Sequence, residues 1–316
     1  MLHDINKLAP LISAPVEKGE ICAVIVSYNS PESVISCIDS LLDRVAEIIV
    51  VDNSANPDVT SIFSALSYHE KVSFIFHEKN RGLAAALNHG IRFALDNAYA
   101  WTLLLDQDSV ASENMIPEMI RSYENLDDAA REKTAVVVPE VFDRNFEEML
   151  PSVVTTNFLN RKIKNPAHDS FVHLHITSGS LIKNNVLPVT GLMDEHFFID
   201  YVDFDFCFRV LNKGYKILLS KKAVLYHSLA DRKQKLGLQF REHNAARVYY
   251  QTRNRLFAMS RYGKKYRSFF YSESCRLIGK LFKIIILESD KREKLKMYFK
   301  GLRDFTREYE KFDAGG

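Results

Sequence analysis

The sequence predicts an α/β fold, a mainly parallel sheet flanked by helices, followed by a helical C-terminal extension. Three observations predict it. Short, continuous apolar runs rich in Val and Ile alternate with amphipathic or small-residue segments, the pattern of strands buried on both faces. Each of the first four apolar runs ends in a polar cluster, and a parallel sheet brings such strand ends to one rim, where ligands bind. Beyond Asp231 the residues favour helix almost to the end.

The elements follow in order. The run ICAVIVSYN begins at Ile21 and ends in Tyr28 and Asn29. Pro31 opens a helix, PESVISCIDSLLDRV, because its fixed φ suits a first helical position; Val34, Ile35, Ile38, Leu41 and Leu42 give that helix an apolar face. EIIVVDNS is a second strand, ending in Asp52 and Asn53. VSFIFHEKN is a third, ending in His77 and Glu78 and followed by Asn80, Arg81 and Gly82. GLAAALNHGIRFALDNA is a helix of small residues able to lie close on a sheet. AWTLLLDQD is the fourth strand, with Asp106, Gln107 and Asp108 at its mouth, and TAVVVPEVF a fifth. After Phe142 comes a polar, loop-rich insertion. Order returns with FVHLHITSGSLIKNNVL, then FFIDYVDFDFCFRVLNKGY, then the strand-like KILLSKKAVLYHS. The chain thus divides into an N-terminal extension (1–20), an α/β domain (21–230) and a helical region (231–316).

Composition narrows the class. A chain of 316 residues, 47% hydrophobic and with a formal net charge of +2, suits one large domain plus an extension and gives no reason to expect nucleic acid. Cys22, Cys37, Cys207 and Cys275 lack any CxxC or Cys/His metal spacing, so buried, reduced thiols in a cytoplasmic protein are expected. The first residues, MLHDINKLAPLISAPVEKGE, lack the apolar core and cleavage site of a signal peptide. No apolar run approaches the ~20 residues that cross a bilayer.

Chemistry concentrates in LLLDQDS. Aspartates at i and i+2 on a strand end can hold a hard cation such as Mg²⁺ or Mn²⁺ and bridge it to a diphosphate. The alternative is that Asp106 caps the next helix and Asp108 is solvated. VSYN, VDNS, NRGLAAALNHG and LLLDQDS, in this order and spacing, resemble the inverting family 2 glycosyltransferases of the GT-A fold. FFIDYVDFDFCFRVLNKGY and YYQTRNRLF resemble more specifically its bacterial rhamnosyltransferase branch, which builds O-antigen and related cell-wall polysaccharides. The resemblance covers Ile21 to about Arg261, and the tail more weakly.

This resemblance implies a GT-A catalytic domain over 21–230. It implies a dTDP-sugar donor, dTDP-β-L-rhamnose first and a UDP-sugar second, and a saccharide acceptor on a polyprenyl diphosphate. Asp52 would accept a hydrogen bond from the imide N–H of thymine or uracil, with Tyr28 covering the base and Asn29 and Asn53 beside it; the plainer reading, an Asx turn of Asp52 and Asn53, is compatible with that binding. Arg81 would meet a phosphate and Gly82 would let the backbone approach the ligand. Asn80 lies beside them and Asn88 faces inward about one helical turn later. Gly179, in TSGSLIK, would permit close approach under the sugars. His227, ending VLYHS, would complete the metal site with Asp106 and Asp108, although Ala230 stands where the family often has glycine. Of the basic residues Arg232, Lys233, His243, Arg253 and Arg255, Arg253 is the one assigned to donor phosphate.

An inverting transfer needs a general base for the acceptor hydroxyl. In the family this is the second residue of a Glu-Asp pair at a helix start, with an aspartate two positions on and then an arginine. Matching those to Asp205 and Arg209 makes Asp203 the base and leaves Val202 in place of the glutamate. Asp205 then pairs with Arg209, and Asp200 has no assigned role. Simple capping of a helix that Gly214 ends is the alternative. The family's processive synthases carry Gln-x-x-Arg-Trp and spanning helices; neither occurs here, which favours single addition. Two rivals stand beside rhamnosyl transfer: transfer of another sugar such as galactofuranose or glucose, and an inactive GT-A-like binding protein. Intact Asp106, Asp108 and Asp203 argue against the second.

The tail combines apolar Leu277, Ile278, Leu281, Phe282, Ile285 and Ile286 on one helical side with Arg276, Lys280 and Lys283 flanking it. A basic amphipathic helix of this kind can rest on the inner face of an anionic membrane. It can equally pack on its own domain or form a homodimer.

Overall fold

Strand β1 (Ile21–Ser27) is buried along its whole length and lies inside the parallel half of a ten-stranded sheet. The computed structural model describes residues 18–66, 69–228, 232–235 and 237–313. Nearly all of the expected N-terminal extension, and the turn holding Ala230, lie outside the described residues.

From β1 the chain runs through α1 (Pro31–Asp39), β2 (Glu47–Asp52), α2 (Pro57–Leu66), β3 (Val72–Phe76), α3 (Leu83–Asp96) and β4 (Trp101–Asp106). Then come β5 (Ser109–Ala111), α4 (Met115–Glu124), α5 (Asp128–Lys133) and the long β6 (Thr134–Asp143). The polar insertion holds the short strands β7 (Glu148–Leu150), β8 (Ser152–Val154), β9 (Arg161–Ile163) and β10 (Ser170–Val172). It is followed by β11 (Ser180–Lys183), α6 (Leu187–Thr190), α7 (Val202–Asn212) and β12 (Lys216–His227). The hairpin β13 (Arg232–Lys235) and β14 (Leu238–Arg241) leads to helices α8 (Ala245–Tyr262), α9 (Arg267–Ile286) and α10 (Lys291–Asp313).

The main path of the sheet is β10-β12-β6-β11-β4-β1-β2-β3, parallel from β4 to β3 and interrupted by β11, which runs antiparallel to both β4 and β6. Register explains the shared rim: Val26 lies opposite Asp106, Ser27 opposite Asp52, and Asp52 opposite Phe76. Alternate residues of β1 feed two apolar layers. Val24 and Val26 pack with α3 and α7, whereas Ala23 and Ile25 pack with α1 and α4. The small residues of α3 permit very close packing, since a Cβ on Gly90 would lie 2.2 Å from Val24 Cγ1.

Three expectations change in detail. Helix does not begin directly after Asp231, because Gly237, at φ 74°, turns the chain into the β13–β14 hairpin. Cys22, Cys37 and Cys207 are buried free thiols, but Cys275 is exposed on α9. The apolar side of α9 is really two faces. Leu277, Leu281 and Ile284 pack with α8 and α10, while Ile278, Phe282, Ile285 and Ile286 face outward. Lys280 and Lys283 do not flank the outward face: their ammonium groups bind Glu288 at 2.9 and 3.2 Å, in a buried ion cluster with Lys294 and Glu242. No helix among the described residues is long and apolar enough to cross a membrane.

Candidate active site

The ends of β1, β4 and β12 and the starts of α7 and α8 line a cleft of about 680 Å³. On its sheet side, β4 ends at Asp106, the chain turns through Gln107 and Asp108, and β5 returns antiparallel to β12 with Ser109 opposite His227. That return brings the imidazole between the two aspartates. His227 Nδ1 is 3.3 Å from Asp108 Oδ1, and Nε2 is 3.8 Å from Asp106 Oδ2. Ser178 accepts or donates at 2.7 Å to Ser109, which lies 3.0 Å from His227 Nδ1, and Ser178 Oγ also accepts the Asp106 N–H at 3.0 Å. One ligand atom from each of Asp106, Asp108 and His227 lies within 4.8 Å of the others. Two carboxylate oxygens and one imidazole suit a divalent cation. Burial pushes Asp108 up to about 6 although His227 opposes it; a dication would hold the carboxylate ionised.

On the facing side, α7 begins directly after a contorted segment in which Phe198, Asp200 and Tyr201 all have positive φ. Asp203, in the first turn of α7, lines the cleft and accepts the Phe204 N–H at 2.9 Å. A helix N-terminus favours an ionised carboxylate, but burial outweighs it. Burial above all, with the charges of Asp200 and Asp106 adding, pushes Asp203 up to about 7. Val202 lines the cleft beside it. Asp205 points away and is fully buried, accepting hydrogen bonds from Arg209 and Arg261 at 2.8 Å and from Tyr262 at 2.5 Å. Asp200 takes the guanidinium of Arg247 on both its oxygens.

Of the other residues singled out in the sequence, Tyr28, Asn53, Asn80 and Gly82 also line the cleft. Tyr28 leaves its ring half-exposed while its N–H donates to Gln107 Oε1 at 2.7 Å. Asn53 and Asn80 have largely spent their amides on the loop itself. Asn53 accepts the Arg81 N–H and donates to Asn80, which accepts the Gly82 N–H, each at 2.9 Å.

Six of the residues given a binding role are not among the cleft-lining residues. Asn29 is fixed through its N–H to Ser54 Oγ. Asp52 is almost fully buried and accepts from the Ser54 hydroxyl at 2.5 Å and the Ser54 N–H at 3.3 Å, an Asx turn that is compatible with binding. Arg81 is exposed outside the cleft. Asn88 does face inward, but its amide is consumed by the loop after α6, donating to Met193 O and Glu195 Oε1 and accepting the Met193 N–H. Arg253 donates to His196 O and Asn254 Oδ1, which makes it a brace between α8 and the segment before α7. Gly179 allows close approach to protein: a Cβ there would lie 2.7 Å from Pro139 Cγ. The same holds for Gly82 at the cleft edge, where a Cβ would meet Phe198 at 2.5 Å.

Sequence reasoning placed Gln107 at the rim but missed Phe198, Arg241, Arg247 and Tyr250, all of which line the cleft. Arg247 holds its proton more tightly than usual. Burial opposes this, but the charges of Asp200, Asp106 and Asp108 prevail. One signal was available, because Arg247, Gln251 and Asn254 recur at helical spacing after the Asn244 cap. His243, named in the sequence, lines the cleft and is pushed down to about 4 by burial and by neighbouring cations.

Residues 22–187 match the family model for glycosyl transferase family 2. The chain is similar to the dTDP-rhamnosyl transferase RfbF of Shigella flexneri, 31% identical over 245 residues that span 75% of this chain and 78% of that one. It is also similar to the low-salt glycan biosynthesis hexosyltransferase Agl10 of Haloferax volcanii, 25% identical over 76% of this chain and 75% of that one. In fold it resembles GalNAc-T7, solved with UDP, GalNAc and Mn²⁺, with a TM-score of 0.60 at 14% identity. That likeness covers 92% of this chain and 57% of the solved chain.

Proposed function

This chain belongs to glycosyl transferase family 2, and from that premise we propose that it is an inverting, divalent-metal-dependent rhamnosyltransferase. It moves L-rhamnose from dTDP-β-L-rhamnose to a saccharide on a polyprenyl diphosphate, in the synthesis of O-antigen or a related cell-wall polysaccharide. The observation that carries the reading is that one cleft is lined by two acidic groups in different settings. Asp106, Asp108 and His227 lie close enough together to hold a cation, and burial pushes the Asp203 carboxyl up to about 7.

In this account the acceptor hydroxyl oxygen bonds to the anomeric carbon as the bond from that carbon to the diphosphate oxygen breaks. The hydroxyl proton passes to Asp203, whose raised pKa matches it to base catalysis near neutral pH. Arg247, a cation facing Asp106 and Asp108, meets the charge left on the diphosphate. Mg²⁺ or Mn²⁺ held by Asp106, Asp108 and His227 would add positive charge against the same leaving group. Tyr28 offers a half-exposed ring at the cleft for the nucleotide base.

A polyprenyl-linked acceptor stays in the bilayer, and the surface of α9 supports a peripheral position on the cytoplasmic membrane face. Ile278, Phe282, Ile285 and Ile286 project outward. The hairpin with exposed Lys233 and Lys235 lies against the same helix end, Lys235 Nζ donating to Leu287 O at 3.2 Å.

The deciding experiment offers a panel of dTDP-, UDP- and GDP-sugars with a synthetic lipid-diphosphate saccharide, with and without EDTA. The reading expects dTDP-β-L-rhamnose to be the most active donor, with transfer lost in EDTA and restored by Mg²⁺ or Mn²⁺. Preference for a UDP-hexose would overturn the donor, and full activity in EDTA would overturn the metal.

A further inference from the structure

The segment that delivers Asp203 to the cleft is held by the C-terminal helices rather than by its own conformational preference. Phe198, Asp200 and Tyr201 have φ of 54°, 62° and 67°, values that a residue with a Cβ rarely adopts. Such a backbone persists where its surroundings over-determine it. Here one side chain does much of the holding. Asn254, fully buried on α8, donates from Nδ2 to the carbonyls of Phe197 at 2.5 Å, Ile199 at 2.8 Å and Asp200 at 3.2 Å. Its own Oδ1 accepts from Arg253 Nε at 3.0 Å, which fixes the orientation of the amide. A second tie leads to α9, where the Tyr201 hydroxyl donates to buried Glu273 at 2.5 Å and Arg255 Nε reaches both. The segment also governs the opposite wall of the cleft, because Phe198 O accepts the Leu83 N–H at the start of α3.

We propose that Asn254 is a positioning residue for Asp203, acting through the carbonyls of Phe197, Ile199 and Asp200; this rests on the reading of Asp203 as the base. The amide suits the task by chemistry. Serine offers one O–H in place of the two N–H groups, and aspartate would set a carboxylate against three carbonyls. Loosening the segment exposes Asp203, half-buried in the cleft wall, further to water, and burial is the first cause of its raised pKa. The charged groups facing Asp203 are the carboxylates of Asp200 and Asp106, the former paired with Arg247.

The test measures kcat, donor KM and the pH profile for wild type, Asn254→Ser, Asn254→Asp and Asp203→Asn, using the most active donor of the panel above. Both Asn254 variants should lose roughly 10- to 100-fold in kcat, as displacement of a reacting group by about 1 Å does, with donor KM little changed. In Asn254→Ser, which adds no charge, the midpoint of the acid limb should fall below its wild-type value, which a merely structural role would not move. An unmoved midpoint overturns the proposal whatever happens to kcat. If Asn254→Asp lacks a cooperative melt, the serine variant decides; if both lack one, Asn254 is a folding residue and the proposal falls. Wild-type turnover in Asp203→Asn would instead defeat the reading of the base, an outcome separate from the behaviour of Asn254.

Discussion

Arg247 lies across both carboxylate oxygens of Asp200, with Nε 3.1 Å from Oδ2 and an Nη 3.0 Å from Oδ1. The pair belongs to the cleft, and Asp200 is one of the two charges that raise Asp203. The sign of each substitution follows. Asp203 must be ionised to take a proton, so turnover is lost as pH falls through its pKa. Arg247→Met leaves Asp200 uncompensated, and the acid limb of the kcat profile should move upward from about 7. Asp200→Asn removes the like charge, and the limb should move downward. Shifts in the same direction would show that the pair does not tune Asp203.

Asp108 is the second probe. Its folded pKa, about 6, lies above an ordinary aspartate value near 4, so the native state binds the proton more tightly than the unfolded chain does. Ionising it therefore costs stability as pH rises through that window. Asp108→Asn should abolish transfer without lowering the melting temperature at pH 7. A clear fall in melting temperature would make Asp108 a structural carboxylate.

Asp205 should behave in the opposite way. Its buried carboxylate is matched to Arg209, Arg261 and Tyr262. Removing one partner of such a network costs roughly 3–5 kcal/mol. Asp205→Ala should show that loss in chemical denaturation; a stability near wild type would contradict the placement of the network.

Gly90 tests the packing of α3 on β1. A valine there would drive its side chain into Val24, which a Cβ alone already meets at 2.2 Å. Overpacking of this kind costs about 1–3 kcal/mol, so Gly90→Val should lower the denaturation midpoint accordingly. Unchanged stability would mean that α3 lies farther from the sheet.

The outward strip of α9 predicts binding to vesicles. With Lys280 and Lys283 engaged by Glu288, the salt-sensitive part should come from Lys233 and Lys235 instead. Each such basic residue contributes about 1 kcal/mol near an anionic surface. Ile285→Glu should weaken sedimentation with anionic vesicles, and Lys233→Gln with Lys235→Gln should remove much of its salt dependence. No vesicle binding, together with a dimer that Ile285→Glu splits, would assign the strip to a second subunit.

Most of the α/β layer was legible because buried parallel strands are apolar throughout and end in polar residues. Register then carried Asp106 and Asp108 to the rim. The antiparallel β11 was not legible, since its pairing with β4 and β6 is set by chain path rather than local pattern. His227 was found as a strand-end residue; its approach to Asp108 depends on the β5 return, which three residues hardly signal. Arg253 was named and Arg247 missed because arginines look alike in a basic helix, and only the rotation of α8 about its axis separates a brace from a cleft residue. The lysines of α9 misled for a related reason, as Glu288 lies beyond the helix end and folds back onto them.

The central claim is that Asp203 takes the acceptor proton in a cleft whose metal cluster holds the donor. Its most direct measurement is the turnover of Asp203→Asn with saturating Mn²⁺, donor and lipid-diphosphate acceptor, alongside its donor affinity. A general base contributes about 10²- to 10⁴-fold, so turnover should fall by that factor while donor still binds. Turnover close to wild type would contradict the account.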